Sequence, residues 1–466
     1  MLSKAFMSGK EIEQQEAGEQ KATGGGGAFR ALAHRNFRLF WVGAFLSNTG
    51  TWMQAMPQGW LVLNLSNSAF WLGFDGFAAT APAILLTPLG GVFADLLDRK
   101  RLLVVSQIVA GATALVLAFL IWAQLIHFWM IIIASFITGS CFALASPSYQ
   151  AITIDLVGRR DLSNAIALNS VQFQLSRVLG PMLAGLTIKP FGFAGCFLIN
   201  GLSYVAIVTA LSLVRIPKRG HTAQPIEERA GTVVVKDEPA SETANTVASA
   251  ATEVATNAPR ARVDRHAVWR DLKEGFRYVL KRPRVFALLS LSAVTSLFGA
   301  PYMTMLPLFA RDVFGFDASG LSLLMGVGGA GAFCGAVMLT LMGDVRRKGL
   351  FVIGGTFVFG VCIVGFSLSK VLALSLVFLF LIGFGVVSSI AVINMLLQHL
   401  VTDEMRGRVM SMFMLSFFGA FPIGNFFAGI SAEHFGAPVT LAAGGAIVAL
   451  FAASVALRNP SLRALD

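Results

Sequence analysis

The sequence predicts an all-α polytopic membrane protein: twelve transmembrane helices in two pseudo-symmetric bundles of six. Three observations carry this. Of 466 residues, 55% are hydrophobic and only 13% charged, with a mean hydropathy of +0.71, more apolar surface than a soluble domain of this size can bury. The apolar residues fall into runs of about 20, the length that crosses a bilayer as helix. The second half of the chain also repeats features of the first at near-constant spacing.

The spans are placed near 37–63, 70–94, 102–123, 126–150, 163–188, 194–214, 285–310, 318–342, 349–368, 371–397, 408–432 and 437–457. They lie in a frame of a cytoplasmic N-terminal tail (1–35), an N-terminal bundle (36–214), a linker (215–268), an amphipathic surface helix (269–283), a C-terminal bundle (284–457) and a short tail (458–466). The N-terminal tail is polar and ends in Gly24–Gly27, which argues against a cleaved signal peptide. The linker mixes Pro, Glu, Thr and Ala with scattered charge and almost no aromatics, a composition unable to bury a core. After it, Trp269, Leu272, Phe276, Val279 and Leu280 recur at helical spacing opposite charged residues, the pattern of a helix lying on the membrane face.

Charge fixes the expected orientation. The formal net charge is +11 and the pI near 9.9, yet of 36 Lys and Arg only Lys189, Arg311 and Lys370 fall in loops opposite the termini, and Arg177 lies within a span. Basic short loops resist translocation, so both termini are expected in the cytoplasm of a plasma (bacterial inner) membrane protein. The positive charge then reports topology and not a nucleic acid. Cys141, Cys196, Cys334 and Cys362 sit singly in apolar runs and read as small buried hydrophobes.

The repeat is specific. A shift of 244 lays Gly180 on Gly424, Ala184 and Gly185 on Ala428 and Gly429, and Phe191 and Gly192 on Phe435 and Gly436. A shift of 250 lays Met53 on Met303, Pro57 on Pro307 and Gly76 on Gly326. A shift of 247 lays Arg99, Lys100 and Arg101 on Arg346, Arg347 and Lys348, so each half carries one charged hinge between its second and third spans.

At that hinge the chain resembles the major facilitator superfamily. The family signature Gly-x-x-x-Asp-Arg/Lys-x-Gly-Arg-Arg/Lys is met by Gly91, Asp95, Arg99 and Lys100; Leu96 and Asp98 depart from it. Asp98 at that place, with the stretches Asn36–Trp41, Asn164–Ser170, Arg177–Gly185 and Asp403–Ser411, is similar to the drug:proton antiporter branch that includes macrolide efflux and enterobactin export proteins. The resemblance implies alternating access, with spans 1, 4, 7 and 10 lining a central path. It also implies a latch in which Asp95 meets the start of span 11 near Arg406–Ser411. By the repeat, Asp344 would meet the start of span 5 near Ser163 and Asn164. Carboxylates at exposed helix-start amides are a favourable pairing. The hinge set is therefore Gly91, Asp95, Asp98, Arg99, Lys100, Asp344, Arg346 and Arg347.

Two charges lie deep in spans. Arg177 is midway along span 5 between Leu175 and Leu179, and Asp75 is the carboxylate of span 2 away from its hinge end. An arginine at the bilayer centre costs about 2.5–3.5 kcal/mol, so it is expected to face protein and to have a partner. Asp75 would lie about 9 Å and Arg177 about 16 Å below the surface at 1.5 Å per residue, close enough for a snorkelling side chain to make an ion pair. Such a pair suits proton coupling; a static salt bridge within one bundle and an unpaired vestibule carboxylate are the alternatives. The helix-interface set is Gly180, Pro181 and Gly185, where proline bends a helix and glycine admits a neighbour. The substrate-path set is Asn48, Trp52, Gln54 and Gln58 in span 1, Tyr302 in span 7 and Asn394 in span 10. Polar residues of this kind also hydrogen-bond between helices.

These readings together expect a monomeric secondary transporter exporting an amphipathic small molecule by proton antiport, with protons and membrane lipids as its other partners. Nutrient import or lysolipid flipping on the same fold, and a membrane receptor or scaffold, remain as alternatives. No cofactor, metal or enzymatic role is expected: the six histidines contain no ligand pair, and no nucleophile motif or phosphate loop occurs.

Overall fold

Lipid cannot hydrogen-bond a backbone, so a spanning chain must satisfy each peptide within its own helix. The computed structural model follows that rule. It describes residues 29–87, 90, 98–158, 160–214, 274–342, 347–463 and 465, and among these there is helix and connection with no strand. The helices are α1 (Arg35–Ser66), α2 (Ala69–Thr87), α3 (Arg99–Trp122), α4 (Phe128–Val157), α5 and α6 within Leu162–Leu213, α7 (Pro283–Val313), α8 (Ala318–Met342), α9 (Lys348–Leu368), α10 (Leu372–Leu400), α11 (Asp403–Phe435) and α12 (Ala437–Arg458).

Among the described residues, ten helices are long and apolar enough to cross a membrane. Two further facts raise this to the expected twelve. Leu162–Leu213 is continuous in hydrogen bonding but breaks at Gly192, whose φ of 63° only glycine adopts freely, and this separates α5 (162–191) from α6 (193–213). The α1 helix falls outside the ten because Asn48, Gln54 and Gln58 dilute its hydropathy, although it is 32 residues long. Gly436, at φ 81°, makes the matching break between α11 and α12, so the 244-residue repeat holds in the backbone as in the sequence.

Several boundaries move outward from their sequence placement. The α11 helix begins at Asp403 and not 408, α10 runs to Leu400, and α7 spans Pro283–Val313. Hydropathy loses helix ends because their outer turns are polar. In the amphipathic segment, residues 274–280 are helical; Val279 is buried while Phe276 and Leu280 are exposed. Its Glu274 pairs with Arg408 of α11 at 2.8 Å. Trp269 and Leu272 lie outside the described residues.

We call the end bearing Arg35 and Arg458 the terminal end, and the opposite end the loop end. The halves meet along two seams, α2 on α11 and α5 on α8, which the repeat exchanges. The first seam is tight. A Cβ at Gly73 would lie 2.5 Å from the Cα of Gly429 and 2.6 Å from the carbonyl oxygen of Asn425. Phe426 of α11 fills the rest of it, 6.1, 6.2 and 5.7 Å from the rings of Phe70, Phe74 and Phe77.

The halves also differ. The C-terminal half carries π-turns at Thr295–Gly299 and Phe309–Val313 in α7 and at Leu415–Gly419 in α11. Two of these face one another: Ser296 Oγ donates to the carbonyl of Phe417 at 2.5 Å. Of the cysteines, Cys196 and Cys362 are buried and Cys141 half-buried. Cys334 is exposed on α8, contrary to expectation, because a membrane helix can leave a small apolar side chain toward lipid at no cost.

Candidate functional site

The two buried charges do not pair with each other. Asp75, 6% exposed, is held inside the N-terminal half by neutral donors: Ser135 Oγ of α4 donates to Oδ1 at 2.5 Å and Gln58 Nε2 of α1 to Oδ2 at 3.3 Å. Gln58 Nε2 also lies 2.8 Å from Ser135 Oγ, and its Oε1 accepts from Gln54 Nε2 at 3.2 Å. Gln54 Oε1 in turn accepts from Asn200 Nδ2 of α6 at 2.6 Å, and Ser203 Oγ donates to Asn200 Oδ1 at 3.2 Å. A continuous row of amides and hydroxyls therefore crosses the bundle from α6 through α1 to the carboxylate on α2. Each member satisfies the next, as buried polar groups require.

Arg177 turns the other way, into the junction of the halves. Its Nη2 donates to Met303 Sδ at 2.9 Å and to Tyr302 Oη at 3.4 Å, both on α7, and its guanidinium carbon lies 5.6 Å from the centre of the Trp52 ring on α1. The expected Asp75–Arg177 ion pair is corrected on this geometry. Depth allowed it, but the rotation of each helix sends the carboxylate to α1 and α4 and the guanidinium to α1 and α7. Thr49 Oγ1 donates to Ser176 Oγ at 3.1 Å and pins α1 to α5 beside the arginine.

The remaining sequence-derived residues separate into groups. Gln54 and Gln58 belong to the Asp75 row, and Trp52 and Tyr302 to the Arg177 cluster. Asn48 is half-buried one turn before Trp52 on α1. Asn394 is buried in α10 and accepts from Gln398 Nε2 at 2.9 Å, a pair apart from both clusters. Gly180 and Pro181 are buried at the α5–α1 contact, where a Cβ on Gly180 would meet the backbone nitrogen of Met53 at 2.7 Å. Gly185 lies on the α5–α8 seam against Ser322.

Of the hinge set, Gly91, Asp95, Asp344 and Arg346 lie outside the described residues. Asp98 caps α3, its Oδ1 accepting from the Arg101 amide at 3.0 Å. Arg99 pairs with Asp155 of α4 at 3.4 Å, and Lys100 Nζ donates to the carbonyl of Val214, just past the end of α6, at 2.9 Å. These basic residues thus tie α3 to its own half. Arg347 precedes α9 in the left-handed conformation, at φ 56°. Where the latch was expected to land, Arg406 meets Asp403 at 2.6 Å, and Asn164 Oδ1 accepts from the Ala31 amide at 2.8 Å. That amide belongs to the short helix Arg30–Ala33, which Asp161 also anchors through Arg30 at 3.0 Å and His34 at 2.8 Å. The His34 hydrogen bond, then the charge of Arg30, hold the Asp161 carboxyl below its ordinary range.

Sequence reasoning missed a clasp between the halves at the loop end. Glu433, near the end of α11, accepts from Ser68 Oγ at 2.9 Å and from the Phe70 amide at 3.0 Å, at the start of α2. Arg311 of α7 reaches the end of α1, donating to Asn67 Oδ1 at 3.1 Å and to the Leu63 carbonyl at 3.5 Å. Each charge faces the helix end of opposite partial charge. The sequence signal was available: Glu433 and Arg311 are rare charges at the poorly charged end. Ser135 and Asn200, single polar residues in apolar runs, offered none.

Comparison with known proteins agrees with this architecture. A family model described as transmembrane secretion effector matches residues 26–235 and 240–466. The staphyloferrin A transporter of Staphylococcus aureus is 24% identical over 86% of this chain and 90% of its own length. Macrolide efflux protein A of Streptococcus pyogenes is 23% identical over 78% of this chain and 80% of its own. Among solved structures, a bacterial homologue of the human lysosomal transporter Spinster, in an inward-facing and unoccupied conformation, superposes with a TM-score of 0.64 at 14% identity, covering 94% of this chain and 98% of that one. With the duplicated six-helix halves and their two seams, these matches identify the chain as an integral multi-pass membrane transporter belonging to the transmembrane secretion effector family, in the drug-efflux branch of the major facilitator superfamily.

Proposed function

We propose that this protein exports an amphipathic small molecule by alternating access, driven by protons that enter through Asp75. The observation that carries the reading is the carboxylate itself. It sits within the membrane, held by a hydroxyl and an amide, with no cation against it among the described residues. Such a group exchanges a proton without first breaking an ion pair, and ionisable residues at this depth are functional by default. The polar row from Asn200 to Asp75 ties protonation to the packing of α1, α2, α4 and α6, so a change of charge can reset how this half sits on the other.

Direction follows from charge and closure. Basic residues crowd the terminal end, which supports a cytoplasmic location for both termini. The Glu433 and Arg311 clasp and the Gly73–Gly429 seam close the loop end, which supports an inward-facing state receiving cargo from the cytoplasm. The names of the relatives support efflux over uptake and a cargo of drug or siderophore type. The hinge residues Asp95 and Asp344 would latch the terminal end in the opposite state.

Everted vesicles with an acid-loaded lumen test the coupling. Adding a transported compound should release lumenal protons, and Asp75→Asn should abolish that release while downhill exchange of the compound persists. Gradient-driven transport undiminished in Asp75→Asn would remove Asp75 from the mechanism.

A further inference from the structure

We infer that Arg177 is an anion-binding point in the transport path, so that the cargo is an amphiphile carrying a carboxylate or similar anionic group, not a cation. This deepens the export reading and rests on it for the word cargo. The site is the junction of α1, α5 and α7, where Trp52, Arg177, Tyr302 and Met303 meet.

Three observations support it. First, the guanidinium is under-served. It has five N–H donors, yet its described contacts are a thioether sulfur, a phenol oxygen at 3.4 Å and a ring face, all uncharged and weak acceptors. Nε and Nη1 have no partner among the described residues. An arginine at mid-membrane costs about 2.5–3.5 kcal/mol, and an anion arriving there would offset that cost. Second, the charge meant to neutralise it is engaged elsewhere: Asp75 is enclosed by Ser135 and Gln58. Third, the surroundings suit an amphiphile. Trp52 stacks edge-on with the exposed Phe173 at 5.9 Å, and Met182, about two and a half turns further along α5, is also exposed. Aromatic and flexible thioether surfaces of this kind accommodate varied apolar bodies.

The site also has a mechanical use. Tyr302 and Met303 belong to the opposite half from Arg177, so an anion that captures the guanidinium competes with contacts bridging the halves. Binding would thereby loosen the junction that must rearrange during transport. A purely structural bridge would lose nothing by carrying a neutral donor.

Binding of two dyes that share one ring system separates these roles: anionic carboxyfluorescein and cationic rhodamine 123, followed by fluorescence anisotropy on the purified full-length protein in neutral detergent. Wild type should favour carboxyfluorescein by at least about tenfold, the scale of one charge-assisted hydrogen bond. Arg177→Gln should erase that preference and Arg177→Lys should keep part of it. Tyr302→Phe, which strips away a competing acceptor, should tighten carboxyfluorescein binding. Competition by phosphatidylglycerol but not phosphatidylcholine, lost in Arg177→Gln, would support the anion site with a lipid as its occupant. Equal affinity for both dyes, no binding of either, or an Arg177→Gln protein that is monodisperse and retains the preference would overturn the inference. The assay needs neither a gradient nor a direction. Charge-selective binding with inward or uncoupled flux would therefore refute export and leave the site standing.

Discussion

Replacing Gly73 by alanine tests whether the α2–α11 seam governs access to the loop end. The added Cβ would stand 2.5 Å from Gly429 Cα, 2.6 Å from the Asn425 oxygen and 2.8 Å from the Gly429 nitrogen. All three are backbone atoms within a helix and cannot swing aside. Carbon atoms in contact sit about 3.5–4.0 Å apart, so the two helices must separate by roughly 1 Å. Overpacking of this kind costs about 1–3 kcal/mol. The cost falls only on the state in which the seam is closed, so the equilibrium should shift toward opening at the loop end by about 5–150-fold. Gly185→Ala on the α5–α8 seam should do less, because its obstacle is the side chain of Ser322, and Ser322→Gly should restore it. Spin labels at cysteines replacing Leu65 and Asp317, both exposed at the loop end on opposite halves, report the opening as a distance distribution. Gly73→Ala should move population to longer distances. If a folded Gly73→Ala protein gives the wild-type distribution, the seam does not set access and the reasoning fails.

The clasp and the anchor of the N-terminal helix can be probed alongside. Glu433→Gln should weaken loop-end closure by about 0.3–1 kcal/mol, the worth of an exposed charge at a helix start, and Arg311→Ala should add a similar, independent shift in the same distance measurement. Asp161 has a lowered folded pKa, so its stabilisation is complete above the ordinary carboxylate value and is lost as pH falls through the lower folded one. Thermal unfolding of wild type and Asp161→Asn should accordingly differ at pH 6 and converge below about pH 4.

Much of the architecture was legible before any coordinates. The two halves, their offset of 244–250 residues and the interruptions between spans 5 and 6 and between spans 11 and 12 follow from hydropathy and from matched residues, whereas the positive φ that puts the breaks at Gly192 and Gly436 is seen only in the structure. Trp52, Gln54, Gln58, Asp75, Arg177 and Tyr302 could be singled out because polar residues are expensive in lipid and therefore conspicuous. Their partners could not. Depth along the membrane is a count of residues, but whether two groups at similar depth meet depends on how each helix is rotated about its axis. That rotation is the joint outcome of many small contacts.

The sequence by itself determined that this chain lives in lipid, crosses it as paired six-helix halves and carries its charge at one end, because each is a one-dimensional consequence of solvating backbone and charge. Only the tertiary structure decided that Asp75 joins Ser135 and Gln58, that Arg177 reaches across to α7, and that Glu433 and Arg311 close the loop end. These are contacts between segments distant in the chain, fixed by which faces fit once twelve helices are packed.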